Sequence, residues 1–158
     1  MSKTANGLLT VVGFLLLVGC AGKGETVMLD LKTLPVAEMA KAAGEGPVVA
    51  VLPFTDGRAD KSRVGARTHI GGGETSFNVP GGKPGDTMAK IVADHLKSKG
   101  LRAQTAKDGN NADVVITGTI QDLWTNAKSR FGSTDLAVRT KVAIQASNTA
   151  DGSTLRKT

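Results

Sequence analysis

The sequence contains a single cysteine, no tyrosine, one tryptophan and four phenylalanines among its 158 residues. A lone cysteine cannot close a disulfide within the chain, so the fold must be stabilised by packing and hydrogen bonding. The scarcity of aromatic rings argues against a lectin that stacks on sugars and against an aromatic platform for single-stranded nucleic acid. The composition therefore favours a small packed domain without a stacking surface.

Residue patterns typical of catalysis are also scarce. The two histidines, His69 and His95, have no cysteine or second histidine at the spacing that metal sites use. The glycine-rich stretch 71–85 fails the phosphate-loop pattern, because proline follows the Gly-Lys pair at 82–83 where serine or threonine is required. No Gly-x-Ser-x-Gly nucleophile turn occurs in the sequence. We therefore expect a protein that is not an enzyme and that holds no metal and no dissociable cofactor.

The chain does have an apolar run near its N-terminus, residues 8–18, preceded by a short polar segment that carries Lys3. The run has 11 residues, whereas about 20 are needed to cross the hydrocarbon core of a bilayer. A cationic start, a short apolar run and a small residue at its end are typical of a secretory signal peptide. We therefore predict a cleaved signal peptide over residues 1–19.

The residues that close this run, Leu17-Val18-Gly19-Cys20, resemble the lipobox of bacterial lipoproteins. The resemblance implies that cleavage leaves Cys20 as the N-terminus, with a diacylglycerol on its sulfur and an acyl chain such as palmitate on its nitrogen. Several chains on one residue anchor a protein stably, because each buried CH₂ contributes about 0.8 kcal/mol. Residue 21 is alanine rather than aspartate, which in such lipoproteins implies sorting to the outer membrane, facing the periplasm. The alternative is an incidental or buried thiol beside a hydrophobic helix.

We expect three parts in the chain: the signal peptide 1–19, a lipidated cysteine and tether with short N-terminal elements over 20–46, and a periplasmic domain over 47–158. The formal net charge is +6, but cations and acids are interspersed, which indicates a mixed solvated surface and no nucleic-acid partner. The last predicted strand, 154–158, has no cap after it. The domain is therefore expected to lack a C-terminal piece.

Local patterns predict an α+β domain, with a mixed or mainly antiparallel sheet packed on one principal helix. The helix is predicted over 87–99, with Asp86 as its N-cap, His95 on or beside its apolar stripe and Gly100 after its end.

Strand signals differ in kind along the chain. The β-branched run 48–52 indicates a buried strand, and strict alternation over 134–146 indicates a strand with one face in the core. The density of glycine and proline over 70–85 indicates a long mobile loop. Further strands are predicted at 27–31, 76–79, 101–105, 114–128 and 154–158.

The order strand, loop, helix, strand and meander, together with Cys20, resembles the YajG-like family of bacterial lipoproteins over residues 48–158. Members of that family continue past the last hairpin with a further strand and a helix. The string at 49–54 is also similar to a wider group of envelope α/β lipoproteins of export and cell-wall assembly, which bind partners or build rings. Neither resemblance implies a catalytic residue. The segments that carry the family resemblance are 49–51, 56–60, 96–101, 113–124 and 135–157.

The densest polar cluster, residues 56–63, follows the buried strand. Its carboxylates, Asp56 and Asp60, have the pattern of an acid–base pair or a cation site, but three cations lie among them. The favoured interpretation is an Asx turn, in which Asp56 accepts hydrogen bonds from nearby backbone N–H groups and Gly57 has a positive φ.

Partner contacts are expected on the loop 55–85 and on the exposed face of 134–146, because exposed loops on a rigid sheet commonly carry recognition. Phe77 is expected to anchor its loop either to a partner or to the sheet, and Trp124 to be a plug of the core or of an interface. The candidate partner-binding residues are Arg58, Arg63, Phe77, Trp124 and Phe131.

The sequence thus predicts a non-enzymatic accessory of the cell envelope, held at the membrane by its lipid anchor. It is expected to act as a binding or assembly module, with another envelope protein or further copies of itself as partner. The alternative function is a periplasmic carrier of a lipid or glycan ligand, which would need an apolar cavity between helix and sheet.

Overall fold

The computed structural model describes residues 24–31 and 46–158, so the predicted signal peptide and Cys20 lie outside the described residues. Within them, one nine-stranded mixed sheet packs against one α-helix. The predicted α+β class is therefore confirmed. Among these residues, no helix has the length and hydrophobicity needed to cross a membrane. The elements are β1 Thr26–Met28, β2 Val48–Val51, β3 Thr55–Asp56, β4 Gly65–Thr68, β5 Glu74–Asn78, a 3₁₀ turn Pro80–Gly82, α1 Pro84–Ser98, β6 Arg102–Thr105, β7 Val114–Arg130, β8 Ser133–Asn148 and β9 Thr154–Lys157.

The 17-residue strand β7 organises the sheet. One of its edges pairs in parallel with β2, β3 and β4, which follow one another along it, and the other edge pairs antiparallel with β8. Outside these, β6 lies beside β2, β5 beside β4 and β1 beside β5, while β9 lies beside β8. Because β1 joins the sheet, part of the segment predicted as a tether belongs to the domain.

The predicted buried strand is confirmed as β2. Val49, Ala50 and Val51 are 4 %, 2 % and 0 % exposed. The strand has β6 on one edge and β7 on the other, both parallel to it. Strands buried on both faces are typically continuous apolar runs, which is the pattern seen here.

The helix α1 ends as predicted but begins earlier. Its C-terminus is a Schellman motif: Gly100 has φ +86°, its N–H donates to the Lys97 carbonyl, and the Leu101 N–H donates to the Leu96 carbonyl. The prediction of Asp86 as N-cap is wrong, because Pro84 occupies the first helical position, where its fixed φ suits the helix and no N–H is needed.

The inward face of α1 is made of small residues. Ala89 and Ala93 are each 1 % exposed, which lets the helix approach the sheet closely. His95, predicted on or beside the apolar stripe, is exposed. The stripe is therefore shifted around the helix from its predicted position. Larger side chains that border the two alanines are Met88, Val92 and Leu96.

The prediction of a long mobile loop over 70–85 is wrong. Residues 65–78 form an antiparallel hairpin, and the glycine-rich stretch at 69–73 is its turn. Thr75, Phe77 and Val79 point inward at 4 %, 9 % and 0 % exposure. This period of two is the signal of a strand. The short strand predicted at 76–79 is confirmed as part of β5, which begins two residues earlier, at Glu74.

The β7–β8 hairpin extends beyond the core. Leu136, Val138, Val142 and Ile144 lie on one face of β8, as the alternation predicts. Only Val142 and Ile144 pack against the core, whereas Leu136 and Val138 are 66 % and 63 % exposed. The predicted burial of this face is therefore correct for the second half of β8 and wrong for the first.

Candidate functional site

Arg58, a candidate partner contact, is buried at 6 % exposure and acts as an internal clamp. Its Nε donates to Asp56 Oδ1 at 2.9 Å and its Nη2 to Asp56 Oδ2 at 2.8 Å. Its Nη1 donates to the Arg63 carbonyl at 2.7 Å. A guanidinium with this many internal acceptors is not available to a partner, so the prediction for Arg58 is corrected.

Asp56 forms the predicted Asx turn, since the Arg58 N–H donates to Asp56 Oδ1 at 3.2 Å. Hydrogen bonds from the Arg58 side chain hold the pKa of Asp56 below its usual range. The other carboxylate of the cluster, Asp60, accepts hydrogen bonds from Ser62, which lower its pKa as well. Each acid is thus stabilised as a carboxylate by its own turn, which supports the turn interpretation rather than an acid–base pair.

Gly57 is required for a reason other than the predicted positive φ, which it does not have. A Cβ atom at this position would lie 2.9 Å from Thr119 Cγ2 and 3.2 Å from the Ile120 carbonyl oxygen. The Gly57 N–H also donates to the Ile120 carbonyl at 2.9 Å. The loop therefore lies against β7 at a distance that leaves no room for a side chain.

Phe77, another candidate contact, anchors its strand to the sheet. It is 9 % exposed and belongs to the hydrophobic core. Of the two roles that the sequence left open, the structure supports the internal one. Phe77 is therefore removed from the candidate surface.

Arg63 and Trp124 contact each other at the surface of the domain. The Arg63 guanidinium carbon lies 5.4 Å from the centroid of the Trp124 ring, within the range of a cation–π interaction. Arg63 also pairs with Glu74. Trp124 lies opposite Arg139 in the hairpin, and Arg139 pairs with Asp122. Both candidates are partly exposed and remain candidates for a partner contact.

Phe131 lies at the two-residue turn of the β7–β8 hairpin and is 93 % exposed. Together with Leu136 and Val138 it forms what we call the hairpin patch. Isolated exposed apolar side chains are common, but apolar residues grouped on one element are typical of interaction sites. Phe131 was predicted, whereas Leu136 and Val138 were expected in the core.

Element lengths could have indicated the exposure of Leu136 and Val138. A strand of 17 residues is about 56 Å long, whereas a helix of 15 residues is about 22 Å long. One helix cannot cover the full length of such a hairpin. The main contacts of α1 are with β2, β3 and β6, and the hairpin patch lies on none of these strands.

A groove of about 560 Å³ runs beside α1. It has Pro53, Ala89 and Ala93 in its lining, but several lysines and two aspartates line it as well. The carrier hypothesis, for a lipid or glycan ligand, requires an apolar cavity between helix and sheet, whereas charged side chains line part of this groove. Within the described residues, no group of three or more histidine, cysteine, aspartate or glutamate side chains is placed to hold a metal ion.

Comparisons with protein-family models, with characterised proteins and with solved structures find no match for this chain. The candidate site is therefore defined by its own geometry.

Proposed function

We propose that this chain is a lipoprotein of the bacterial outer membrane, facing the periplasm, that acts as a non-enzymatic binding or assembly module of the cell envelope. The observation that carries the proposal is the sequence Leu17-Val18-Gly19-Cys20 at the end of a short apolar run. A diacylglycerol and an acyl chain on Cys20 would hold the domain at the membrane surface. Membership of the YajG-like family is part of this proposal and rests on the order of elements.

The hairpin patch supports the binding part of the proposal. A lipid anchor places a domain at a membrane but gives it no activity of its own, so the function must come from a surface of the domain. Phe131, Leu136 and Val138 offer exposed apolar area on the hairpin turn and the first half of β8. Aromatic and large apolar anchors contribute most of the binding energy in protein interfaces. The expected partner is another envelope protein or a second copy of the chain.

The lipid anchor is tested by Cys20→Ser. Cells that make the natural chain are expected to incorporate labelled palmitate into it and to remove residues 1–19, because the thiol accepts the diacylglycerol before cleavage. The serine variant is expected to incorporate none and to keep its signal peptide. Ala21→Asp is the matched control, since it should keep the label while moving the protein to the inner membrane. A natural chain without palmitate would contradict the proposal.

The binding surface is tested by a photo-crosslinking residue at position 131 or 136 in intact cells. Adducts heavier than the chain are expected at both positions. When the partner identified in an adduct is purified, Phe131→Ser is expected to weaken its binding to this chain about tenfold or more. The reason is that loss of a buried interface anchor costs about 2 kcal/mol. Leu101, which is 37 % exposed just after α1, provides the control position, because it lies outside both expected binding surfaces. Equal adduct yields at 101 and 131 would argue against the hairpin patch.

A further inference from the structure

One row of residues across the sheet shows where the chain enters the domain from Cys20. Glu74 lies opposite Thr68 of β4, and Thr68 lies opposite Lys128 of β7. The Gly24 N–H donates to the Glu74 carbonyl at 3.5 Å, so the first described residue lies at the same row. Because β5 begins at Glu74 and β4 ends at Thr68, the row marks one end of this part of the sheet.

The proposed lipid anchor must lie close to this row. The chain from Cys20 to Gly24 is four residues long and reaches about 14 Å at most when fully extended. Neighbouring strands are about 4.8 Å apart, so β7 lies roughly 14 Å from β1 along the row. An anchor on Cys20 therefore holds this end of the sheet close to the membrane surface.

Two turns follow directly after this row. The β4–β5 turn carries Ile70, two residues after Thr68, and the β7–β8 turn carries Phe131, three residues after Lys128. Their exposed fractions are 55 % and 93 %. Since β4 and β8 pair with opposite edges of β7, the two side chains come from separate hairpins that end at the same side of the domain.

The turns at the other end of β7 have a different composition. The turn 108–111 leads into β7, and the turn 149–152 is held beside it by the bond from the Thr149 N–H to the Asp113 carbonyl. Their residues are Asp-Gly-Asn-Asn and Thr-Ala-Asp-Gly, the polar composition that is usual for turns. Large apolar side chains occur instead on the two turns near Gly24, which indicates a specific contact at that end.

The charges near the two apolar turns complement phospholipid headgroups. Residues 63–74 and 128–135 contain four arginine or lysine residues and two acids, an excess of two positive charges. The acids, Glu74 and Asp135, are each paired with an arginine, whereas Lys128 is exposed at the row itself. Positive charge beside exposed apolar side chains is the combination that binds a phospholipid surface.

We propose that this end of the sheet docks on the phospholipid surface of the membrane that holds Cys20, with Ile70 and Phe131 in the headgroup region. The inference rests on the proposed function and deepens it, because it defines how the anchored domain is oriented. A short connection to the anchor makes docking intramolecular, at a high effective concentration, so contacts from two side chains are sufficient. A partner of the hairpin patch then lies at the same membrane surface.

Fluorescence quenching measures which residues contact lipid. Ile70→Cys, Phe131→Cys and Ala150→Cys are each made in the full-length chain, which is purified with its lipid, labelled with a fluorescent maleimide and reconstituted into vesicles of phosphatidylethanolamine and phosphatidylglycerol. A fraction of the lipid carries a nitroxide on its headgroup. Strong quenching is expected at positions 70 and 131 and little at 150, which is exposed on the opposite turn. The vesicles contain no other protein, so quenching reports contact with lipid.

Lys128→Gln tests the contribution of charge. The ratio of docked to undocked domain, measured by the quenching at position 70, is expected to fall about fivefold, because a cation near an anionic surface contributes that much. Lys107→Gln is the matched control, since Lys107 is exposed after β6 and lies outside the row. Equal falls for the two variants would contradict docking through this end.

The natural chain separates this inference from the proposed function. Its only thiol is that of Cys20, so it should take up no maleimide when the sulfur carries diacylglycerol. Uptake would overturn the lipid anchor and the docking with it. No uptake, but equal quenching at positions 70, 131 and 150, would overturn the docking and leave the lipoprotein function intact. Protein adducts of a photo-crosslinking residue at position 70 in cells, without quenching in vesicles, would assign this end to a protein partner instead.

Discussion

Replacement of Arg58 by methionine is expected to lower the free energy of unfolding by about 3 kcal/mol. The methylenes are largely kept, but the Asp56 carboxylate loses both of its guanidinium bonds and remains only 19 % exposed. The Arg63 carbonyl loses its donor as well. Urea unfolding measures the change as a lower midpoint at a constant slope.

Two variants separate the charge from the packing at this clamp. Asp56→Asn in the methionine background should recover part of the loss, because an unpaired amide costs less to bury than an unpaired carboxylate. Asp60→Asn should leave the free energy of unfolding almost unchanged, since Asp60 is exposed. If Arg58→Met lowered the free energy of unfolding as little as Asp60→Asn does, the role of Arg58 as an internal clamp would be contradicted.

The clamp also makes stability depend on pH in a defined direction. Arg58 holds the pKa of Asp56 below its ordinary value of 3.8, so the folded state binds the carboxylate proton less readily than the unfolded state does. The contribution is complete above pH 3.8 and is lost as the pH falls through the lower folded pKa. The difference in free energy of unfolding between the natural chain and the Arg58→Met variant is therefore expected to become smaller below pH 3.8.

The elements that the sequence predicted correctly are those whose signals are local. The β-branched run of β2, the glycine at the end of α1 and the alternation of β8 each depend on a few neighbouring residues. The three parallel pairings along one edge of β7 join residues up to 65 positions apart, as with Val49 and Val114. No local pattern specifies which strand lies beside which.

The candidate site was predicted less well for a related reason. Arginine is almost never fully buried unless it is paired, and the acceptors of Arg58 include the Leu123 carbonyl, 65 positions away. Phe77 lay on the predicted strand 76–79, but that strand was expected within a mobile loop, because glycines lie on both sides of it. The alternation around Leu136 and Val138 predicts that they share one face of a strand. It does not predict whether another element packs on that face.

The position of α1 on the sheet depends on a close contact at Gly85. A Cβ atom there would lie 2.0 Å from the Phe54 carbonyl oxygen, and the Phe54 N–H donates to the Gly85 carbonyl at 3.2 Å. The Phe54 ring in turn lies over Gly118 of β7, where a Cβ would come within 2.5 Å of it. Phe54 is thus held between two glycines, one on the helix and one on the sheet.

Gly85→Ala is therefore expected to destabilise the fold by about 3 kcal/mol, the upper part of the range for overpacking. Alanine favours a helix over glycine by about 1 kcal/mol, but here the clash is with backbone that cannot rotate away, so the steric cost decides the sign. Gly46→Ala is the matched control, because nothing lies within 4 Å of its Cβ position and its φ is not positive. It should change stability by less than about 0.5 kcal/mol. A more stable Gly85→Ala protein would show that α1 is free to move away from Phe54, and the position of the helix would then not be fixed by this contact.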